Sequence, residues 1–321
     1  MPCWNSNQYE ERTDRGVCKI EEKKAGNRNM DEMQRPIGVF DSGVGGISVL
    51  RELVALMPNE NFIFYGDSKN APYGTKTLEE VRKLTLADAE YLRSRNVKAL
   101  VVACNTATSA AIHILRERYQ KEIPVIGIEP ALKPAVSVKE NSRVLVMATP
   151  MTLREKKFHN LMQKFQDQAE IISLPCPGLV EFVERGELSG EALEHFLKNL
   201  FAPYQERKVD AVVLGCTHYP LVRETIQKVL GQGVAVFDGG AGTARETLHK
   251  LKEYDMVSDA VTPGTVQFYN SAEDQAMIEL SKYLLPFSGQ PAPGQDRRAA
   301  ARGGKNVQAP GQNRAGRRTP A

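Results

Sequence analysis

Eight short apolar runs, separated by stretches with helical periodicity, constrain the fold of this chain more than any other feature. They are IGVF (37–40), FIFY (62–65), ALVVA (99–103), VIGI (125–128), VLVMA (144–148), IISL (171–174), AVVLG (211–215) and VAVF (234–237). A strand that is apolar without alternation is buried on both faces, which is the situation in a parallel sheet covered by helices. Between the runs, Ala107, Ala110, Ala111, Ile114 and Leu115 recur at helical spacing, as do Val222, Ile226, Val229 and Leu230. Strand alternating with helix predicts βα units around a parallel sheet.

The runs also repeat. Ile37 to Val144, Phe62 to Ile171, Ala99 to Ala211 and Val125 to Val234 lie 107, 109, 112 and 109 positions apart. Two copies of one unit give such offsets. The expectation is an α/β protein of two pseudo-symmetric lobes, each a mostly parallel sheet flanked by helices, with the active site in the cleft between them. We draw the first lobe as residues 36–131 plus 240–287 and the second as 132–239, between a disordered extension (1–35) and a disordered basic tail (288–321). Ligands of open α/β sheets sit at the carboxyl ends of strands. The third run of each copy ends there in a cysteine, Cys104 in VVACNTA and Cys216 in VVLGCTHYP. Facing lobes would put the two thiols on opposite walls of one cleft.

Composition narrows the class. With 41% hydrophobic and 25% charged residues the chain reads as an ordinary soluble protein. No apolar run approaches the roughly 18 residues that cross a bilayer, and the polar start lacks a signal-peptide core. A cytoplasmic protein without a membrane partner is expected. The five cysteines (Cys3, Cys18, Cys104, Cys176, Cys216) are odd in number and form no C-x-x-C, so neither a disulfide framework nor a metal site is expected. The net charge of +3 is uneven: residues 288–321 hold seven Lys/Arg and one Asp, the first 35 residues hold seven of each sign, and 36–287 keep −3. The basic character belongs to the tail, either a solvated segment or a polyanion-binding arm, and nucleic acid is not an expected partner of the core.

A thiol acts as base or nucleophile only as thiolate, which a helix N-terminus or a cationic neighbour favours. Either cysteine alone reads as well as a buried structural residue; the matched pair points to chemistry, while Cys176, Cys3 and Cys18 read as structural. GVFDSGVGG closes the first strand with Asp41, Ser42 and a glycine loop suited to holding an anion. A dinucleotide fingerprint, with Asp67 near the ribose position, is the competing reading, but the loop lacks the third glycine and Asp41 would repel a pyrophosphate. His218 is either a proton carrier near pH 7 or a helix-start histidine bonded to a carbonyl. Asn105, Thr106 and Thr217 are short donors beside the thiols, suited to a small zwitterion. NAPYGTKT (70–77) is a substrate wall or an ordinary turn, and Glu181 with Glu184 share one helical face.

Taken together, GVFDSGVGG, YGDSKNAPYGTKT, VVACNTA, GIEPA, PCPGLVEFVE and VVLGCTHYP resemble the bacterial glutamate racemases, in order, from about Pro36 to Lys282. The resemblance implies cofactor-independent interconversion of L- and D-glutamate, supplying D-glutamate for peptidoglycan. It matches Cys104 to the thiol that takes the α-proton of D-glutamate and Cys216 to the one that acts on L-glutamate, with Asp41, Glu184 and His218 as auxiliary acid–base residues. It places Asp41, Ser42, Tyr73, Gly74, Thr75, Asn105, Thr106, Thr149, Thr152, Thr217 and His218 at substrate. The chain departs from the family in its two tails and in ATPMTLREKKF, where a loop richer in glycine is common. A homodimer is implied, and since some relatives bind DNA gyrase, that interaction is a second expectation. The alternatives are an aspartate racemase or related isomerase, and a regulatory binding protein on the same fold.

Overall fold

The computed structural model describes residues 30–204 and 207–286. Cys3, Cys18, most of the extension and the basic tail fall outside them. Among the described residues nine strands form two sheets. The strands are β1 (Ile37–Asp41), β2 (Phe62–Gly66), β3 (Ala99–Val102), β4 (Val125–Gly127), β5 (Ser142–Ala148), β6 (Ala169–Pro175), β7 (Ala211–Leu214), β8 (Ala235–Asp238) and β9 (Val266–Asn270). One sheet runs β4-β3-β1-β2-β9 and the other β6-β5-β7-β8, and every pairing is parallel. All eight apolar runs are strands. Reading β5–β8 as second copies of β1–β4 gives the same order in both sheets, 4-3-1-2.

The ninth strand was not anticipated. VQFYN lies on the edge beside β2, with Phe64 opposite Phe268, and none of its residues is fully buried. An edge strand half-covered by solvent does not need the continuous apolar run that marked the others. In the central strands β1, β3 and β7 every residue is buried.

Helices fill both faces. Side chains of β5 and β7 alternate: Leu145, Met147, Val212 and Leu214 join the large core that also holds β1–β4, while Val144, Val146, Ala211 and Val213 form a second cluster with Phe158 and Leu132. One continuous core therefore runs through both sheets. The helix Leu78–Arg93 begins with a reciprocal cap, in which the Thr77 hydroxyl accepts from the Glu80 N–H and Glu80 accepts from the Thr77 N–H. The helix Gly240–Glu253 packs on Ile47–Leu56. No described helix is long and apolar enough to cross a membrane.

Candidate active site

Both sheets reverse their strand order at the first strand of the copy, and the crevice at such a reversal is where α/β proteins bind ligands. In the first sheet, Asp41 and Ser42 end β1 beside Cys104, which follows β3; the Ala103 N–H donates to the Phe40 carbonyl and keeps the two ends level. In the second sheet, Thr149 follows β5 beside Cys216 after β7, with the Gly215 N–H donating to the Met147 carbonyl. These bonds align Phe40 with Met147, so Ser42 matches Thr149 as a hydroxyl in each half, while Asp41 matches Ala148 and only the first half carries a carboxylate there.

Cys104 caps the N-terminus of the helix Asn105–Tyr119: its Sγ accepts from the Ala107 N–H at 3.5 Å and lies 3.5 Å from Ser42 Oγ. Burial pushes the Cys104 thiol well above its ordinary range, Asp41 and then the charge of Cys216 add to this, and the Ala107 N–H opposes it. Thr217, the residue after Cys216, donates to Asp41 beside Cys104, so the two cysteines lie in one site. Cys216 is not placed like Cys104. It sits in a turn before a short 3-10 segment, Tyr219–Val222, with His218 as N-cap and Pro220 in its first turn; the α-helix starts only at Arg223. In place of a helix N-terminus, Cys216 has a side-chain partner, with its Sγ 3.7 Å from His218 Nδ1.

His218 is buried, and its Nε2–H donates to Glu184 Oε1 at 2.6 Å. Burial works against an imidazolium, yet the hydrogen bonds to Cys216 and Glu184 prevail and hold His218 well above its ordinary value. Glu184 also accepts from the Val44 N–H at 2.8 Å and from Ser68 Oγ at 3.3 Å. The glycine loop does bind an anion, and that anion is the protein's own Glu184. A Cβ on Gly43 would lie 1.9 Å from Glu184 Oε1, and one on Gly45 would lie 2.3 Å from His218 Nδ1, so the loop must be glycine for Glu184 to reach His218 and for His218 to reach Cys216.

Asp41 joins the two arrangements. Its Oδ2 accepts from the Gly46 N–H at 2.8 Å and its Oδ1 from Thr217 Oγ1 at 3.2 Å. Burial raises its carboxyl, the His218 charge draws it back, and Glu184 raises it again. The Asp41 charge in turn acts on Cys104, whose thiol it helps to raise.

Residues 37–247 match the sequence model of the family described as Asp/Glu/Hydantoin racemase. The chain belongs to this family. The glutamate racemase of Clostridium botulinum (strain Alaska E43 / Type E3) is 54% identical over 259 residues, which is 81% of this chain and 100% of that protein. The one from Clostridium acetobutylicum is 53% identical over 256 residues, 80% of this chain and 99% of the relative. Among solved structures, the glutamate racemase of Francisella tularensis in complex with D-glutamate superposes with a TM-score of 0.69 at 32% identity, covering 79% of this chain and 94% of that one. The Escherichia coli enzyme, solved with L-glutamate and the activator UDP-MurNAc-ala, also gives 0.69 at 32% identity, covering 78% and 94%.

In this racemase-family chain the other anticipated residues divide. Thr106, Thr149 and Thr152 form a closed triangle of hydroxyls, with Oγ1 separations of 3.1, 3.1 and 2.9 Å, that joins the helix after Cys104 to the turn after β5. Asn105 is buried and its Oδ1 has no partner, leaving an acceptor for an incoming donor. Gly74 packs so closely on Thr149 that a Cβ would lie 2.5 Å from that residue's Cβ. The Tyr73 hydroxyl turns instead to Asp67 and Asp88, and Thr75 is exposed, its hydroxyl donating to the Pro72 carbonyl at 3.2 Å. Asp67, the residue in the ribose position of the dinucleotide reading, is occupied by Tyr73 and Asn70. Cys176 is buried and bonded to the Leu174 carbonyl.

Two functional contacts were not foreseen. Ser48 Oγ donates to the Thr217 carbonyl at 2.8 Å across 169 residues, and Ser68 reaches Glu184 across 116. No local pattern marks either serine, since each contact exists only once the two halves have met.

Proposed function

We propose that the protein interconverts L- and D-glutamate by proton transfer between two thiols, supplying D-glutamate for peptidoglycan. The observation that carries the reading is the hydrogen bond from Thr217, the residue after Cys216, to Asp41 beside Cys104, which brings the two cysteines into one site, with His218 and Glu184 behind Cys216 and Asp41 and Ser42 beside Cys104. Inverting a stereocentre by deprotonation needs a base on one face and an acid on the other. In the L to D direction Cys216, as thiolate, removes the α-proton while Cys104, as thiol, delivers one to the opposite face. The reverse turnover exchanges these roles, with Asp41 able to take the Cys104 proton and His218 able to supply Cys216.

The α-carbon of an amino acid is a very weak acid, so preorganised donors must stabilise the charge that develops on its carboxylate. Ser42, Thr217, the threonine triangle and backbone N–H groups are the available donors, and the unpaired Asn105 Oδ1 suits the α-ammonium. We assign residues 36–131 with 240–287 to one lobe and 132–239 to the other, with substrate between them.

Circular dichroism of the purified chain with L-glutamate, D-glutamate and L-aspartate, without added pyridoxal phosphate, tests this reading. The expected result is loss of ellipticity with both glutamates and none with aspartate. Cys104→Ala and Cys216→Ala should each abolish it. Dependence on pyridoxal phosphate, preference for aspartate, or full activity in either variant would overturn it.

A further inference from the structure

Tyr73 Oη lies 2.6 Å from Asp67 Oδ2 and 2.9 Å from Asp88 Oδ2, with all three side chains buried. A phenol has one hydrogen and cannot donate to two carboxylates. Asp67 already accepts from Asn70 Nδ2 on both oxygens, at 3.0 and 3.1 Å, and its contact to Tyr73 is the shorter one, so it takes the phenolic hydrogen. The contact between Asp88 and Tyr73 then requires a second hydrogen, on Asp88 itself. We infer that Asp88 is held as a neutral carboxylic acid that donates to Tyr73 Oη and so positions the Tyr73–Gly74 turn against Thr149 in the substrate cleft.

The surroundings agree. Asp88 lies on the inner face of the helix Leu78–Arg93, one turn after Thr85, whose buried hydroxyl has no partner. Facing it are Tyr73 from the turn, Asp67 after β2, Tyr65 on β2 and Asp41 at the end of β1. Among the described residues the charges that act on Asp88 are those of Asp67 and Asp41, both acidic, and burial with these neighbours keeps its carboxyl well above the ordinary range. Ionised, it would add a negative charge beside Asp41 and lose its bond to Tyr73. Asp88 is a positioning residue. It acts through Tyr73 on Gly74, whose approach to Thr149 leaves no room for a Cβ.

The positioning role rests on the reading under Proposed function, whereas the protonation state does not, so the tests are separable. Asp88→Asn keeps a neutral donor of the same size; Asp88→Leu removes it. The infrared difference spectrum of the wild type minus Asp88→Asn should show a protonated-carboxyl band, shifted in D2O. From above the ordinary aspartate value of about 4 up to the pH at which Asp88 titrates in the folded protein, the unfolding constant of the wild type should rise about tenfold per pH unit relative to Asp88→Asn, because the folded state holds one proton that the unfolded state releases. With glutamate, Asp88→Asn should keep KM and kcat within about twofold, while Asp88→Leu raises KM about tenfold with a smaller change in kcat, as a lost buried hydrogen bond implies. A pH-independent stability ratio, or a protonated-carboxyl absorption no weaker in Asp88→Asn than in the wild type, would overturn the neutral acid. A KM in Asp88→Asn as high as in Asp88→Leu would overturn the positioning role. Absence of racemisation in the wild type would leave the first two measurements to decide the protonation state alone.

Discussion

His218 donates to Glu184 at 2.6 Å while its other ring nitrogen faces Cys216, so a carboxylate, an imidazole and a thiol form one chain of proton carriers. Glu184 comes from the helix Leu179–Glu184 and is fixed in turn by the Val44 N–H on the glycine loop. Glu184→Gln removes the charge and keeps the shape. Racemisation should fall about a hundredfold, within the range for losing one acid–base group. The two enantiomers have equal free energy in water, so kcat/KM must fall by the same factor in both directions. A loss seen from one side only in kcat/KM would point to an assay fault or to a second reaction. Kinetics from both L- and D-glutamate check this.

The same chain has a pH signature. His218 is held above its ordinary value of about 6.5. A histidine raised in the folded state contributes stability that is fully present below the unfolded value and is lost as pH rises through the folded one. The stability advantage of wild type over His218→Gln should therefore shrink as pH climbs from about 6.5. Denaturant melts at a series of pH values, together with an NMR titration of His218, measure this. A titration at or below 6.5 would contradict the arrangement.

Much of this was legible before the fold was known, for a physical reason. Strands buried on both faces must be continuously apolar, and the residue that follows such a strand at its carboxyl end is where a cleft begins, so β1–β8, Asp41, Cys104 and Cys216 announced themselves. β9 did not, because an edge strand tolerates VQFYN. The aim of the Tyr73 hydroxyl, the exposure of Thr75, and the contacts of Ser48, Ser68 and Asp88 were also hidden. They depend on which helix or loop arrives opposite, and no periodicity encodes that. The equivalence of the two cysteines was only partly right: Pro220 in the turn after Cys216 goes with a 3-10 segment where Cys104 has a helix, and His218 supplies what the helix N-terminus does not.

A further prediction concerns folding alone. Lys98 and Glu60 are buried and paired at 2.5 Å; Glu60 also accepts from the Ser258 N–H, and Lys98 Nζ donates to the Met33 carbonyl. Burial lowers the Lys98 amine, and Glu60 partly restores it. Lys98→Met should cost about 3–5 kcal/mol, because it leaves a carboxylate stranded in the core. Adding Glu60→Leu should recover most of that loss. Equilibrium unfolding checks both; a double variant as unstable as the single one would show that the two groups do not act as a pair.

The glycine loop offers the sharpest separation of causes. A Cβ on Gly43 meets Glu184 Oε1, the far end of a flexible side chain that is 16% exposed and can swing away. Gly43→Ala should therefore fold well and lose activity about as Glu184→Gln does. A Cβ on Gly45 meets a buried ring that Glu184 holds from the other side, so His218 cannot yield without shifting its own turn. Gly45→Ala should lose more activity and also about 1–3 kcal/mol of stability through overpacking. If the glycine at 43 matters because it admits Glu184, then both variants take the Glu184 charge away from His218, Gly43→Ala by displacing the side chain and Glu184→Gln by neutralising it. Their combination should cost little more than either alone, against the additivity expected of independent sites. Kinetic measurement of the four-member cycle decides this: additive losses would mean that Gly43 serves the loop in some other way and that Glu184 reaches His218 without its help.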